Sequence, residues 1–540
     1  MFQSLELENF KAFGERARIP FAPITLIFGE NSAGKSTILQ VLNLLKQTRA
    51  SRDVSAPLAP RTENVIVDLG SFQEMIFNHD LKRTLSVRIE TKVEHQLAIE
   101  FKFKRPSLEE VVLLDQIEIY KGEPLKCIAR FQPSGKTVDP EELMGRAQFF
   151  YHPFFQSSRG FTPSKINALK CVWITKKTEY WEPEFKWCGE NKNELVSWFK
   201  EEKSDLEEYI KQQRDEEDAD EQKNSNGDFQ EDEKNFQIMI ESLDANIDFF
   251  SSKNFDDIDN YISKRHEEEM KTVLGFQGFL PVITLSHAGF TSIATFLRRR
   301  TDEIIFDVNG FAIAAGRALE SALEALFPMG PFRKPPERWY IFTGTSPQDV
   351  GYRGDLLPDL LFRRPELVEN TNEWLKRLEI GYKLDVKSVG AHSGDLFEVR
   401  LIDIRRKKPV NVALPDVGFG ISQLLPFIVQ SLVAKEQIIS IEQPEVHVHP
   451  RLQADLGDLL AEAIKEPRRN RFIVETHSEH LILRLQRLVR KKQIKPEDVS
   501  VIYVSRGSEG AKAQRLHLDE DGDFIDEWPN GFFPERLREL

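Results

Sequence analysis

The residues best suited to chemistry in this 540-residue chain lie at positions 29–36, Gly-Glu-Asn-Ser-Ala-Gly-Lys-Ser. They fit the spacing G-x-x-x-x-G-K-[ST], in which backbone N–H groups of a glycine-rich loop surround a polyphosphate. Lys35 would reach the β- and γ-phosphate oxygens, and the Ser36 hydroxyl would ligate Mg²⁺. The run predicts a nucleoside-triphosphate site made by Asn31, Ser32, Ala33, Gly34, Lys35, Ser36 and Thr37.

The segments on either side of this run are the elements that such a site requires. Residues 24–28 are β-branched, apolar and aromatic, which predicts a buried strand, and residues 36–45 have apolar side chains at helical spacing. The helix would direct its N-terminal N–H groups and its dipole at the phosphates. A glycine-rich turn in an ordinary strand–helix unit is the alternative interpretation.

A second candidate for phosphate contact lies in residues 417–423, Val-Gly-Phe-Gly-Ile-Ser-Gln, ahead of the apolar run 424–432. A turn formed by Gly418 and Gly420, with Ser422 just before a helix, would expose N–H groups and a hydroxyl at the helix N-terminus. Short glycine turns are also common helix entries, so this segment gains weight only beside the others.

Acidic residues follow the apolar run 438–441, which predicts a buried strand. A phosphate-loop ATPase places its Mg²⁺-organising carboxylate and its water-orienting residue at such a strand end. Glu442 is the candidate on the metal side. Gln443 follows it, and an amide cannot act as a base. Either Glu445 takes over the carboxylate role or hydrolysis is slow and controlled by a partner, and we favour slow hydrolysis.

The segment 472–478 predicts another core strand, which ends in His477. A histidine at this place would contact the γ-phosphate and sense hydrolysis. A structural histidine is the alternative for this residue taken alone.

The order of these four segments resembles the ATP-binding-cassette head fold of SMC and RecF proteins. The chain is more similar still to bacterial ATPases related to overcoming-lysogenization-defect proteins, in particular the PtuA-type subunit of Septu and retron defence systems. The segments that carry this resemblance are residues 8–13, 29–37, 70–72, 330–338, 347–351, 417–426, 442–450, 475–478 and 528–535.

The resemblance implies an α/β fold, an ABC-type ATPase head with a mixed sheet around the phosphate loop and an antiparallel flanking sheet. A long, partly helical acidic insertion would separate the two lobes. Alternating runs at 85–90 and 97–101 fit the flanking sheet. We expect an N-terminal ATPase lobe at 1–104, the insertion at 105–272, a connecting helical and β region at 273–409, and a C-terminal ATPase lobe at 410–540.

The resemblance also implies that ATP and Mg²⁺ are sandwiched between two protomers. The phosphate loop of one protomer would face Gly418, Gly420 and Ser422 of the other.

Two further parts of the nucleotide site follow from the resemblance. Asn9, Phe10 and Lys11 fall where such ATPases approach adenine and ribose. Gln73 lies near the position of a glutamine that meets Mg²⁺, and a plain surface residue is the alternative there.

By resemblance, the protein is an ATP-binding, slowly hydrolysing regulatory subunit of a bacterial antiphage defence complex. It would form a homodimer or higher oligomer that controls a separate HNH-type nuclease, with a retron reverse transcriptase and its msDNA as further partners. The alternative is an SMC/RecF-like DNA-repair or DNA-clamping ATPase without a nuclease partner. Only 63 residues follow His477, too few for a Toprim nuclease domain, so we expect no nuclease domain within the chain.

Composition limits the protein's location and partners. Of the net charge of −14, residues 201–235 contribute −10 through 15 acidic and 5 basic side chains, so the rest of the chain is near neutral. The acidic helical stretch 195–272 is either a partner-binding arm or a surface insertion. Three cysteines without C-x-x-C spacing predict reduced thiols. Without a signal peptide or a membrane-spanning run, we expect a cytoplasmic protein that does not contact membranes.

Basic residues concentrate at 298–300, 405–408 and 484–495. They are candidates for nucleic-acid backbone contacts, with a solvated surface as the alternative. Two groups of residues have side chains of types that bind metals, but we do not interpret either group as a metal site. Residues 519–527 precede a tail that resembles the family's own, and His447 and His449 follow the acidic strand end, where such folds place a dimer contact.

Overall fold

The computed structural model describes residues 1–51, 53, 56–62, 66–92, 96–107, 110–138, 166–175, 178–219, 226–270, 273–277, 279–285, 308–342, 344–389 and 395–528. The chain forms two compact units. The first comprises residues 1–50, 59–87 and 321–540, and the second comprises residues 51–58 and 88–320. None of the described helices has the length and apolar character needed to cross a membrane.

The strands of both units are numbered in chain order. They are β1 (Phe2–Glu8), β2 (Ala17–Pro20), β3 (Ile24–Gly29), β4 (Leu85–Lys92), β5 (Gln96–Lys104), β6 (Leu113–Lys121), β7 (Lys126–Val138), β8 (Ile166–Ile174), β9 (Val273–Gln277), β10 (Leu280–Leu285), β11 (Leu326–Met329), β12 (Tyr340–Ile341), β13 (Tyr382–Ser388), β14 (Leu396–Asp403), β15 (Val410–Ala413), β16 (Ile438–Glu442), β17 (Arg471–Glu475), β18 (Val499–Gly507) and β19 (Gly510–Leu516).

The α-helices follow the same numbering. They are α1 (Lys35–Ala50), α2 (Phe72–Met75), α3 (Thr178–Glu190), α4 (Lys192–Ala219), α5 (Asn226–Ser251), α6 (Ile258–Met270), α7 (Val308–Ala325), α8 (Leu357–Arg363), α9 (Pro365–Arg377), α10 (Phe419–Val433), α11 (Pro450–Ala463) and α12 (Glu479–Arg490). Short 3₁₀ turns occur at Phe77–His79, Lys253–Asp256, Leu414–Asp416 and Pro496–Asp498.

The first unit is built on a six-stranded sheet in the order β11-β16-β17-β3-β18-β19. The five strands from β11 to β18 are parallel, and β19 pairs antiparallel with β18. Strand β3 lies inside this sheet and all six of its residues are buried, as its continuous apolar sequence predicts for a strand covered on both faces. The predicted strand–loop–helix arrangement around the phosphate loop is confirmed, because α1 begins at Lys35.

The carboxyl ends of the parallel strands meet at one edge of this sheet, where ligands of open α/β folds bind. Strand β3 ends at Gly29, β16 at Glu442 and β17 at Glu475. Strand β17 lies between the other two, and its register places Glu475 beside Glu442. A core of buried side chains from the sheet and from α8 to α12 holds this edge in place.

Further antiparallel strand pairs complete the first unit. Strands β1 and β2 pair antiparallel, and β14 pairs antiparallel with β12, β13 and β15. Strand β1 alternates Leu5 and Leu7 with Glu6 and Glu8, and the proline-containing segment 330–338 is free of helix.

The second unit contains an antiparallel meander in which each strand from β5 to β10 pairs with the next along the chain. The predicted acidic helices are α4 and α5, which pack together around a core that includes Phe199 and Phe250. Lys203 of α4 and Asp244 of α5 form an ion pair at 2.6 Å. Residues 220–225, which connect α4 to α5, lie outside the described residues.

Candidate functional site

A cleft of about 390 Å³ lies over the phosphate loop at the carboxyl edge of the parallel sheet. Its volume falls in the range of roughly 300–1,000 Å³ that is common for small-molecule sites. The predicted residues that line it are Lys11, Asn31, Ser32, Gly34, Lys35, Ser36, Thr37, Gln443 and His477. Three residues that the sequence did not single out also line it, Ala12, Gln40 and Glu475.

The phosphate loop is held by its own lysine. Lys35 Nζ donates hydrogen bonds to the backbone carbonyls of Gly29 at 3.1 Å and Glu30 at 2.6 Å. Gly34 has a φ of +107°, which only glycine adopts without strain. Burial lowers the pKa of Lys35, and nearby carboxylates oppose that shift. The amino group of Lys35 thus lies at the floor of the cleft, in contact with the backbone of the loop.

The Ser36 hydroxyl contacts a carboxylate from another strand. Ser36 Oγ donates to Glu475 Oε1 at 3.0 Å. Burial raises the pKa of Glu475, and the hydrogen bond from Ser36 opposes the shift. Sequence reasoning missed Glu475, because a single acid at the end of an apolar strand gives no signal until the strand's neighbours are known.

Glu442 ends strand β16 and does not line the cleft. Burial, followed by the charge of the neighbouring Glu475, raises its pKa to about 7, and the guanidinium of Arg333 opposes this shift. Arg333 is itself buried and donates to the Gly330 carbonyl. Burial lowers the pKa of Arg333 to about 10. Glu442 therefore lies in an electrostatic environment set by both Glu475 and Arg333.

Gln443 is turned into the cleft by its backbone. Its φ is +44°, a left-handed conformation that is uncommon for residues other than glycine. Its N–H donates to the Glu475 carbonyl at 2.7 Å, which continues the pairing of β16 with β17 beyond the end of β16. The amide side chain consequently stands where a water-orienting residue is expected.

Glu445 and His477 are joined through the backbone. The His477 N–H donates to Glu445 Oε1 at 2.6 Å, and burial raises the pKa of Glu445. Glu445 is only 8% exposed and does not line the cleft. Burial, followed by the charge of Lys35, lowers the pKa of His477. His477 thus faces the cleft with its ring biased towards the neutral form.

The three residues proposed for adenine and ribose lie in different surroundings. Lys11 lines the cleft and has a φ of +47°. Asn9 bonds Thr84 and Arg83 through its amide at 2.9 Å each, and Phe10 is fully buried. The structure therefore brings Lys11 to the cleft and leaves the side chains of Asn9 and Phe10 out of it.

Two other predicted residues lie outside the cleft lining. Ala33 is buried within the phosphate loop. Gln73 is in α2, where its carbonyl lies 2.8 Å from His79 Nδ1. A metal contact from Gln73 stays a prediction.

The glycine turn is arranged differently from the sequence prediction. We expected Ser422 just before a helix, but α10 begins at Phe419, so Gly420 and Ser422 lie in its first turns. Close packing explains the glycine at position 420 better than a turn does, because a Cβ there would stand 2.4 Å from the His447 carbonyl oxygen. Gly418 is the N-terminal cap, and a Cβ there would meet open space.

Several of the predicted basic contacts are engaged within the chain. Arg405 and Arg406 pair with Asp403 at 2.9 and 3.5 Å, and Arg490 pairs with Asp523 at 2.7 Å. Residues 298–300, and residues 529–535 of the tail that carries part of the resemblance, lie outside the described residues. Contact with nucleic acid stays a prediction.

The oxygen atoms of the cleft suit a hard divalent cation. Glu475 Oε2 is buried and receives no hydrogen bond from the described residues, while Oε1 lies beside the Ser36 hydroxyl. Mg²⁺ takes oxygen ligands of this kind, and usually one or two carboxylates with substrate phosphates. The residues present therefore fit Mg²⁺ bound together with a nucleotide.

A phosphate loop after a buried strand, a lysine at its floor and carboxylates at neighbouring strand ends define a phosphate-loop ATPase. Residues 1–275 and 365–482 match the family described as AAA ATPase domain. Since this match spans more than half of the chain, the protein belongs to that family. The predicted α/β ATPase-head fold is confirmed, and the protein is an ATPase.

Residues 494–540 match a second family, described as a protein of unknown function (DUF3696). No curated protein matches the chain.

Solved SMC head domains are similar at low identity. The head from Pyrococcus furiosus, bound to the C-terminal domain of ScpA, is 12% identical over 96% of both chains, with a TM-score of 0.34. The head from Thermotoga maritima is 10% identical over 96% of this chain and 99% of that one, with a TM-score of 0.35. The head from Pyrococcus yayanosii is 13% identical over 96% and 98%, with a TM-score of 0.34. Likenesses at these scores carry no information about substrate or partner.

Proposed function

We propose that this ATPase binds Mg·ATP and serves as a slowly hydrolysing regulatory subunit of a bacterial antiphage defence complex of Septu or retron type. ATP would bring two copies of the chain together in the cytoplasm, and the dimer would control a separate HNH-type nuclease. A retron reverse transcriptase with its msDNA is a further partner in this proposal.

The observation that carries the proposal of slow hydrolysis is the position of Gln443. Its side chain lines the cleft directly after the end of β16, where a carboxylate would activate water. An amide orients water but does not accept its proton, and general-base catalysis contributes roughly 10²–10⁴-fold to a rate. Bound ATP would therefore persist long enough to define a conformational state.

The other roles in the cleft follow from charge and position. Lys35 would neutralise charge on the β- and γ-phosphates, and His477 would contact the γ-phosphate from the end of β17. Mg²⁺, when bound with the nucleotide, would supply further positive charge to neutralise the phosphates. Gln443 would orient the attacking water, and Lys11, which also lines the cleft, would contact the nucleotide.

We propose a dimer because some residues that are expected to contact the nucleotide do not line the cleft of their own chain. Gly418, Gly420 and Ser422 of the same chain are not among the described residues that line it. The open space beside Gly418 would admit a phosphate or another backbone. A second copy would supply these groups to the nucleotide and close the site.

The proposal that the partner is a nuclease is supported by the sequence resemblance. Segments such as 330–338, 442–450 and 475–478 are similar to those of the PtuA-type ATPases. The acidic helices α4 and α5 are our candidate for the partner-binding arm. The competing function is an SMC/RecF-like DNA-repair or DNA-clamping ATPase that works without a nuclease.

Co-purification tests the choice between these functions. The tagged full-length chain is expressed together with its genomic neighbours, and the proteins that it retains are identified by mass spectrometry. We expect an HNH-type nuclease in stable association with the wild type. If the wild type dimerises and hydrolyses ATP but retains no nuclease, the defence-subunit proposal fails and the repair ATPase is favoured.

A further inference from the structure

We propose that Trp528 is a positioning residue for the nucleotide site, and that it acts on His477 through the ring of Phe28. The inference rests on the proposed function, in which His477 contacts the γ-phosphate. It gives a role to part of the region at residues 494–540, which matches a family of unknown function.

A series of aromatic rings leads from the cleft to Trp528. The His477 ring lies edge-on to the Phe28 ring, with centroids 6.3 Å apart and an angle of 61° between the ring planes. The Phe28 and Trp528 rings follow, at 5.6 Å and 60°. Both separations fall within the roughly 4.5–7 Å at which aromatic pairs attract one another. Because His477 lines the cleft, the Phe28 ring links the cleft to Trp528.

The sheet holds Phe28 in this central position. Phe28 directly precedes Gly29, the last residue of β3, and it is only 9% exposed. Strand β18 pairs with β3 and places Tyr503 beside Phe28, with ring centroids 6.3 Å apart. Tyr503 also contacts Trp528, at 5.9 Å. Since protein interiors are close-packed, a change at Trp528 alters the space open to the Phe28 ring, and through it the position of the His477 ring.

The segment 517–528 holds Trp528 against these rings. The Trp528 ring packs on the Phe524 ring with centroids 5.0 Å apart. The backbone N–H of Ile525 donates to the His517 carbonyl at 2.9 Å, which folds the segment back on itself. The position of Trp528 is therefore set by this segment as well as by the sheet.

The same segment contacts the helix that follows His477. Helix α12 begins two residues after His477, and near its other end Gln486 Nε2 donates to the Gly522 carbonyl at 2.8 Å. A Cβ on Gly522 would stand 2.3 Å from the Gln486 carbonyl oxygen, so helix and segment approach closely. The segment thus contacts both the Phe28 ring, which touches His477, and the helix that starts beside His477.

Single-turnover ATP hydrolysis by the full-length protein tests this coupling. The variant Trp528→Leu keeps apolar bulk but removes the aromatic ring, and Trp528→Phe keeps a ring. We expect Trp528→Leu to lower the rate by about two- to tenfold, while ATP affinity changes by less than about twofold. Trp528→Phe recovers at least about half of the wild-type rate. Trp339→Leu, at a tryptophan of the same unit that is 59% exposed, is the matched control and keeps the wild-type rate.

A double-mutant cycle with His477→Ala separates positioning from a general loss of stability. In the His477→Ala background we expect Trp528→Leu to have no further effect on the rate, because Trp528 acts through the His477 ring. If Trp528→Leu causes an equal loss in both backgrounds, or keeps the wild-type rate, the inference is overturned while Mg·ATP binding stands.

Nuclear magnetic resonance of the nucleotide-free protein, with ¹³C-labelled histidine, gives a readout that does not depend on ATP. The His477 Cε1–H signal is identified by its loss in His477→Ala. It must shift in Trp528→Leu and stay in place in Trp339→Leu, and an unmoved signal in Trp528→Leu overturns the inference. If the wild type binds no ATP, the proposed function fails, and this signal alone decides whether Trp528 positions His477. Should Trp528→Leu not fold, Trp528→Met takes its place in each measurement.

Discussion

The carboxylate of Glu445 accepts a hydrogen bond from the backbone N–H of His477, with 2.6 Å between Oε1 and N. This contact joins the segment after β16 to the segment after β17, at the edge of the sheet where the cleft lies. Because Glu445 is buried and outside the cleft lining, its effect on a nucleotide is exerted through His477.

Replacing Glu445 by alanine tests this positioning role. The change leaves the His477 N–H without its acceptor, and an unsatisfied buried group costs about 1–3 kcal/mol. We predict a loss of unfolding free energy of this size, measured by urea denaturation, and a lower rate of ATP hydrolysis. Glu445→Gln keeps an oxygen acceptor and serves as the control with a smaller loss. Equal stability of the alanine variant and the wild type would contradict the role.

Gln443→Glu tests the origin of slow hydrolysis. The new carboxylate would line the cleft beside Glu475, where burial and like charge raise its pKa towards neutrality and suit it to act as a base. We predict that the single-turnover rate of ATP hydrolysis rises by about tenfold or more over the wild type. A fast wild type that Glu445→Gln leaves unaffected would remove both explanations offered for the amide, slow hydrolysis and replacement by Glu445.

Lys35→Ala tests the floor of the cleft. The change removes the ammonium group that contacts the carbonyls of Gly29 and Glu30 and that would face the phosphates. We predict at least about hundredfold weaker ATP binding, equivalent to about 2.8 kcal/mol, measured by calorimetry. Lys46→Ala, in the same helix but bonded to the Leu323 carbonyl at 2.9 Å, is the matched control. Equal weakening in both variants would show a general loss of folding in place of a local effect.

Gly418→Arg tests the shared site. Since a Cβ at Gly418 meets open space, we expect the fold to tolerate the change, but the arginine would stand where the partner's nucleotide is expected. We predict that ATP binding to the monomer is retained and that ATP-dependent self-association falls by about tenfold or more. Gly418→Ala is the control, with self-association close to that of the wild type. Unimpaired association of the arginine variant would place the interface elsewhere.

Much of the fold around the nucleotide could be predicted from the sequence. The phosphate loop between an apolar strand and an amphipathic helix has one sterically sensible arrangement, so the positions of Gly34, Lys35 and Ser36 followed directly. His477 and Gln443 were found because each lies close to the end of an apolar run, and parallel strands bring such ends together.

Other parts of the site depend on tertiary packing that periodicity does not show. Glu475 acquires its meaning only when β17 is inserted between β16 and β3. Phe10 is adjacent to Lys11 in the sequence, yet it is fully buried while Lys11 lines the cleft. The start of α10 was misplaced because Gly420 serves close packing against His447, a contact across the fold that its neighbours in sequence do not reveal.

The central claim, an ATP-dependent dimer that persists because hydrolysis is slow, is tested most directly by sedimentation velocity of the full-length wild type. The protein is measured without nucleotide, with Mg·ADP and with Mg·ATP, and the bound nucleotide is analysed after separation. The account predicts a monomer that becomes a dimer only with Mg·ATP, and a dimer that still contains ATP after separation. A sedimentation coefficient that does not change between the three conditions, or a dimer that contains only ADP, would contradict it.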